Sequence, residues 1–305
     1  MYVNSGRKRI TLILTCFLTC LILATGCAKE PSSVDEPANP TAVDEAQPYF
    51  GLDFPSSTVS RFAPAIFREE MHAPPIFTPN GKEVYWSFMD EPRGVRYMTI
   101  ENGAWSEPAP APFDRGGRGD SPFISSDGTR LLYLSYGSNN EAIWQVERED
   151  DGWGSSQKLP DEVNQNGAHW QASMADNGNL YFGSEGKLLF STFENGNYRT
   201  AENLEFSYDS DNAYAGSPFI APDESYLIFD LGLDFTHADL YITFKNETGE
   251  WDEPVSMEAL NSNGNDLYAN VSPDGRFLIF LSSRTGIQLP YWVDASVIED
   301  YRSQN

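Results

Sequence analysis

The sequence predicts an all-β chain folded as a β-propeller of five blades, six being the alternative, on three observations. A turn-centred pair of apolar runs recurs five times, at intervals of 47 to 51 residues. Aromatic residues make up 13% of the 305 residues, beside 24 Gly and 20 Pro, a composition that favours strands and turns over helices. The last copy lacks a closing strand, while an unassigned apolar segment precedes the first copy.

The copies are centred on Asn80, Asp127, Asp176, Asp223 and Asp274, as in Pro122-Phe-Ile-Ser-Ser-Asp-Gly-Thr-Arg-Leu-Leu-Tyr133. Each reads as a hairpin, with Asp or Asn capping the turn and Gly, where present, taking the positive φ. The apolar runs are nearly continuous, so both faces of these strands are expected to be covered. Third strands are expected at Val95–Glu101, Ala142–Glu147, Lys187–Phe193, Asp239–Phe244 and Pro290–Ala295. Trp105, Trp153, Tyr198 and Trp251 then open a weaker fourth strand in four copies, and their rings are expected to pack between blades. The fifth copy ends in a short helical stretch near Val297–Tyr301. Its missing strand is expected from Val59–Phe67, so that both termini close one ring and leave no exposed sheet edge there.

Ahead of the propeller (49–305), residues 1–26 read as an export signal and 27–48 as a tether. Arg7, Lys8 and Arg9 precede an apolar run from Ile10 to Ala24, too short to span a bilayer comfortably. Leu23-Ala24-Thr25-Gly26-Cys27 resembles a bacterial lipobox, with its Leu one place early. That resemblance implies cleavage before Cys27 and lipidation of its sulfur. Cys16 and Cys20 would leave with the signal, so no disulfide is expected. Residues 28–48 alternate Pro with Asp and Glu and hold little to bury, which suits a mobile spacer. The expected location is the cell envelope: the periplasmic side of the outer membrane, if the cell is Gram-negative.

The hairpins resemble the WD40-like repeats of the TolB-type β-propeller family. The carriers are Ser217-Pro-Phe-Ile-Ala-Pro-Asp-Glu-Ser-Tyr-Leu-Ile-Phe229, Val271-Ser-Pro-Asp-Gly-Arg-Phe-Leu-Ile-Phe280 and Tyr291-Trp-Val-Asp-Ala295. The resemblance spans about 60–300 and implies a fold more than a chemistry, since these are turn and core positions. Proteins of the family are mostly envelope or secreted propellers, and TolB itself binds proteins. The separate N-terminal domain of TolB has no counterpart here, so no TolB partner is implied.

Charge narrows the function classes. With 20 Lys+Arg against 45 Asp+Glu the net charge is −25, which argues against nucleic acid as a partner. In a propeller the connections that lead into each inner strand open on one face, opposite the tight Asp-Gly turns. Those connections are the longer ones, and longer loops round an axial mouth are where binding is expected. The candidates on that face are His72, Arg115, Arg118, Asp120, His169, Trp170, Asp211, Tyr214, His237, Asp266 and Tyr268. Asp120 and Asp266 are the alternative catalytic pair, as acid and base of a glycan hydrolase. Arg115 and Arg118 are expected to pair with neighbouring carboxylates. Asp209-Ser-Asp-Asn212 lacks the Glu of a calcium loop, Ile220 standing in its place. No metal, cofactor or nucleophile triad is expected. The leading expectation is a lipid-anchored, non-catalytic module that binds an envelope protein or glycan, with the membrane reached through Cys27.

Overall fold

The computed structural model describes residues 46–89, 93–114, 116–136, 141–150, 152–165, 169–207, 213–234 and 237–302. These residues form a five-bladed β-propeller of antiparallel sheets, in which the strands of the first four blades run from inner to outer in chain order. The inner strands are Met71–Phe77, Gly119–Ile124, His169–Met174, Tyr214–Ile220 and Asp266–Val271. Each touches the inner strand of the next blade, and the fifth touches the first, so the ring is closed.

The ring exists because a single blade is apolar on both faces. The buried side chains fall into five clusters, each formed chiefly between two neighbouring blades. Tyr85 and Val95 of blade one meet Leu131 and Tyr133 of blade two. Leu132 and Ile143 of blade two meet Leu180 and Phe182 of blade three. Tyr181 and Leu188 meet Leu227 and Phe229, and Ile228 and Leu240 meet Leu278 and Phe280. Adjacent residues of one strand thus serve opposite interfaces, as the strand period requires. Burying each such side chain contributes about 1.5–3 kcal/mol.

The fifth interface is where the termini meet. Ser60 and Arg61 pair with Trp292 and Tyr291, supplying the outer strand of blade five. This strand is shorter than the expected Val59–Phe67. After Phe62 donates its N–H to Pro290 O, Ala63 takes φ 37° and Pro64 has no N–H to continue the ladder. Phe62 and Phe67 instead fill the interface beside Trp86, Phe277 and Trp292. Ala46 and Gln47, which the sequence places in the tether, are already docked. Ala46 N–H donates to Gly103 O, and Gln47 O accepts from Trp105 Nε1. The left-handed run Tyr49 and Phe50 (φ 52° and 60°) follows, and burial of these rings against Phe77, Phe277 and Trp105 offsets its strain.

The fourth-strand aromatics pack between blades as expected. Trp153 donates from Nε1 to Tyr85 Oη of the preceding blade at 2.7 Å, and Trp251 meets Tyr181 edge-on. Trp105 lies at the interface of blades five and one, where it packs on Phe50 of the N-terminal segment. The closing helix, Val297–Arg302, covers the interface between blades four and five.

Phe62→Ala should cost about 3–5 kcal/mol in urea unfolding, as for a fully buried Phe, and unfolding should stay a single transition because the ring opens as a whole.

Candidate functional site

All five inner strands are kinked at the same height. Their ladders to the second strand slip at Ala73/Ile76, Asp120/Phe123, Trp170/Ala172, Gly216/Phe219 and Leu267/Asn270. In three blades the bulge residue is left-handed without being glycine: Ser121, Ser217 and Tyr268. Blade one has Pro74 at the equivalent place, which has no N–H to lose from the ladder.

A polar residue of the preceding blade answers the freed amides. Ser87 donates its hydroxyl to Asp120 and takes the Ser121 N–H at 3.5 Å, with Asp120 Oδ1 taking the same N–H at 2.8 Å. Asp230, at the position equivalent to Ser87, takes the Tyr268 N–H at 3.4 Å and the Ser217 hydroxyl. Burial pushes the Asp230 carboxyl up to about 6 against these two donors. In blade three the place belongs to Gly183, where a Cβ would press on the Gly216 backbone.

Above the kinks lies the axial mouth on the loop-rich face. The structure brings together there His72, Asp120, Trp170, Tyr214 and Tyr268, and with them Arg93 and Glu141, which the sequence reading missed. His72 Nδ1 lies 2.6 Å from Asp120 Oδ2, Arg93 3.7 Å from the same oxygen, and the His72 ring 5.6 Å from that of Tyr268. Burial raises the Glu141 carboxyl above the usual range. The Asp120 charge adds to this, and the His169 amide, Arg93 and His72 oppose it. Trp170 and Tyr214 stand edge to face with centroids 6.1 Å apart. Each rests on a glycine, Trp170 on Gly216 and Tyr214 on Gly232, where any Cβ would overlap the ring. Gln171, next to Trp170 and 1% exposed, reaches from blade three to the carbonyls of Pro218 and Ala269 in blades four and five. The mouth therefore has a floor.

The other candidates divide. Asp120 and Asp266 are both 0% exposed. Asp266 accepts from Ser262 N and Oγ and from Arg284. His169 is also 0% exposed, and burial lowers its imidazole pKa, so it is a neutral hydrogen-bonding group facing Val163 O. His237 is half-exposed, 3.1 Å from Asp239, whose carboxyl is raised by burial and by Asp266. Arg118 is exposed, and its N–H donates to Asp114, which also takes the Val95 and Gly119 N–H groups. Arg115 and Asp211 lie outside the described residues. Arg93, Glu141 and Asp239 sit at the start of third strands. The connections before those strands open on the same face, and that was the signal available for finding them. Among the described residues no group of three His, Cys, Asp or Glu side chains has metal-binding geometry.

No protein-family model matches the chain, and no curated protein does. Solved structures do. A protein described as a putative TolB from Agrobacterium tumefaciens aligns over 72% of this chain and 72% of its own, at 13% identity and TM-score 0.51. TolB from Acinetobacter baumannii aligns over 73% of this chain and 56% of its own, at 13% identity and TM-score 0.45. A GH43 glycoside hydrolase aligns over 77% and 51%, at 9% identity and TM-score 0.47. At these identities the likeness is one of fold: a TolB-like β-propeller.

Asp230 gives a signed prediction. Its folded pKa of about 6 lies above its ordinary value of 3.8, so the folded state binds more protons between those values. Stability should fall on the order of 3 kcal/mol as pH rises from about 4 through 6, then level off. Asp230→Asn keeps an acceptor for Tyr268 N–H. Its urea midpoint should match the wild type near pH 4 and exceed it at pH 7.

Proposed function

We propose that this chain is a lipid-anchored envelope protein whose loop-rich face binds a protein or glycan without transforming it. The observation that carries this reading is the axial mouth, where His72, Trp170, Tyr214 and Tyr268 are half-buried and the Trp170 and Tyr214 rings are propped on glycine. Aromatic faces held in fixed positions add contact area at little entropic cost, and Trp and Tyr dominate binding energy where they are buried on contact. Ile66 and Ile287, 37% and 41% exposed, stand on loops of the same face, joined through Met71 N–H to Gln288 O. Against turnover stands the complete burial of Asp120 and Asp266, which leaves neither carboxylate open to a substrate. The lipid anchor rests on the lipobox at Cys27, outside the described residues. Among those residues no helix is long and apolar enough to cross a membrane.

Capture from detergent-solubilised native membranes by the full lipidated chain tests the reading. Trp170→Ala and Tyr268→Ala should each cut recovery of the partner about tenfold, with the unfolding midpoint little changed. Equal recovery by both variants removes the mouth as the binding surface. Cys27→Ser should abolish palmitate labelling and release the protein from the membrane fraction; retention there contradicts the anchor.

A further inference from the structure

The two ends of the axis differ in chemistry. Beyond the floor set by Gln171, on the tight-turn face, the inner strands of all five blades line an apolar cavity of about 100 Å³. Its walls include Ile76, Phe123, Met174, Phe219, Ile220 and Val271, with the Ser126 and Ser272 positions near the turns. The volume is about two-thirds that of a cavity known to accept a single benzene ring.

Round it runs a collar of turns, with direct contacts at four of the five blade junctions. Gly128 of blade two meets Pro79 of blade one. Ser126 donates to Asp176 of blade three, whose N–H donates to Pro222 O of blade four. Tyr49 joins the turns of blades five and one by donating its hydroxyl to Asp274 and its N–H to Gly81 O. The turn residues Asp127, Asp176, Asp223 and Asp274 are exposed on this collar, and Asp274 faces Arg276 at 3.9 Å. Donors within their own turns, with the charge of Arg130 on Asp127 and of Arg302 on Asp223, hold both carboxyls below the usual carboxylate range despite some burial, so both carry charge at neutral pH.

We propose that this face binds a basic peptide segment. One large apolar side chain enters the axial cavity, and flanking Lys or Arg residues meet the aspartate collar. The charge pattern selects this occupant: a neutral apolar molecule would leave the collar unused, and an acidic one would be repelled by it. The aspartates are spread round the axis, which suits cations spaced along a chain.

The test uses the full chain and a labelled Lys-Lys-Phe-Lys-Lys peptide in fluorescence anisotropy at 20 to 300 mM salt. Wild type should bind with affinity that falls as salt rises. Replacing the peptide's Phe by Ala should weaken binding about tenfold or more. The triple variant Asp127→Asn/Asp176→Asn/Asp223→Asn should also lose about tenfold at low salt and flatten the salt dependence. It should fold, because Asn80 already caps the equivalent turn through Oδ1. Trp170→Ala, on the opposite face, should bind within about twofold of wild type. The proposal fails if the Ala peptide binds equally well, if the triple variant is unaffected, if Trp170→Ala removes binding, or if nothing saturates at millimolar peptide.

Discussion

The packing of one blade against the next is the constraint from which the rest follows. Each blade carries large apolar side chains on both faces, and Tyr85 and Trp86, side by side on one strand, are buried in different interfaces. A sheet of that kind has no solvent face, so every blade needs two neighbours and the series ends only by closing. Closure in turn dictates that residues from the two ends of the propeller meet, and Ser60–Arg61 beside Leu289–Asp294 is where they do.

A second constraint comes from the axis. Five inner strands cannot converge without bending, and the bend frees backbone N–H groups in a region with little water. The structure answers them locally, with Ser87 and Asp120 in one pair of blades and Asp230 in another. The cost is uneven. A hydroxyl is buried cheaply once hydrogen-bonded, whereas Asp230 as a carboxylate resists burial, and its raised pKa records that resistance. These carboxylates belong to the scaffold of the mouth. Above them stand aromatic rings and the half-buried side chains of His72, Arg93 and Glu141.

With Gln171 spanning the axis, the molecule has two unlike axial surfaces in place of one channel. The loop-rich mouth is aromatic and polar, built from long connections that vary between blades. The tight-turn end is an apolar hole ringed by similar turns, Asp in four blades and Asn80 in the first, with the N-terminal segment joining blades five and one through Tyr49. Two unlike surfaces on one ring arise because blade packing uses only the flanks of each sheet, leaving both strand ends free.

The repeat, the blade count, the inward-facing strands and the terminal closure were legible in the sequence, because turn residues and apolar runs answer to local rules that recur every 47 to 51 positions. The face bearing the long loops was legible for the same reason, and Trp170, Tyr214, His72 and Tyr268 do gather there. Exposure was not. His169, Asp120 and Asp266 read as available groups and are fully buried, since their burial depends on which blade lies alongside. Arg93 and Glu141 join the mouth from connections 21 and 69 residues along the chain from His72, a proximity that the folding of blade one and its packing on blade two create. The floor at Gln171 and the apolar hole beneath it were equally hidden, for they are set by how closely five kinked strands approach one axis, a distance no single repeat encodes.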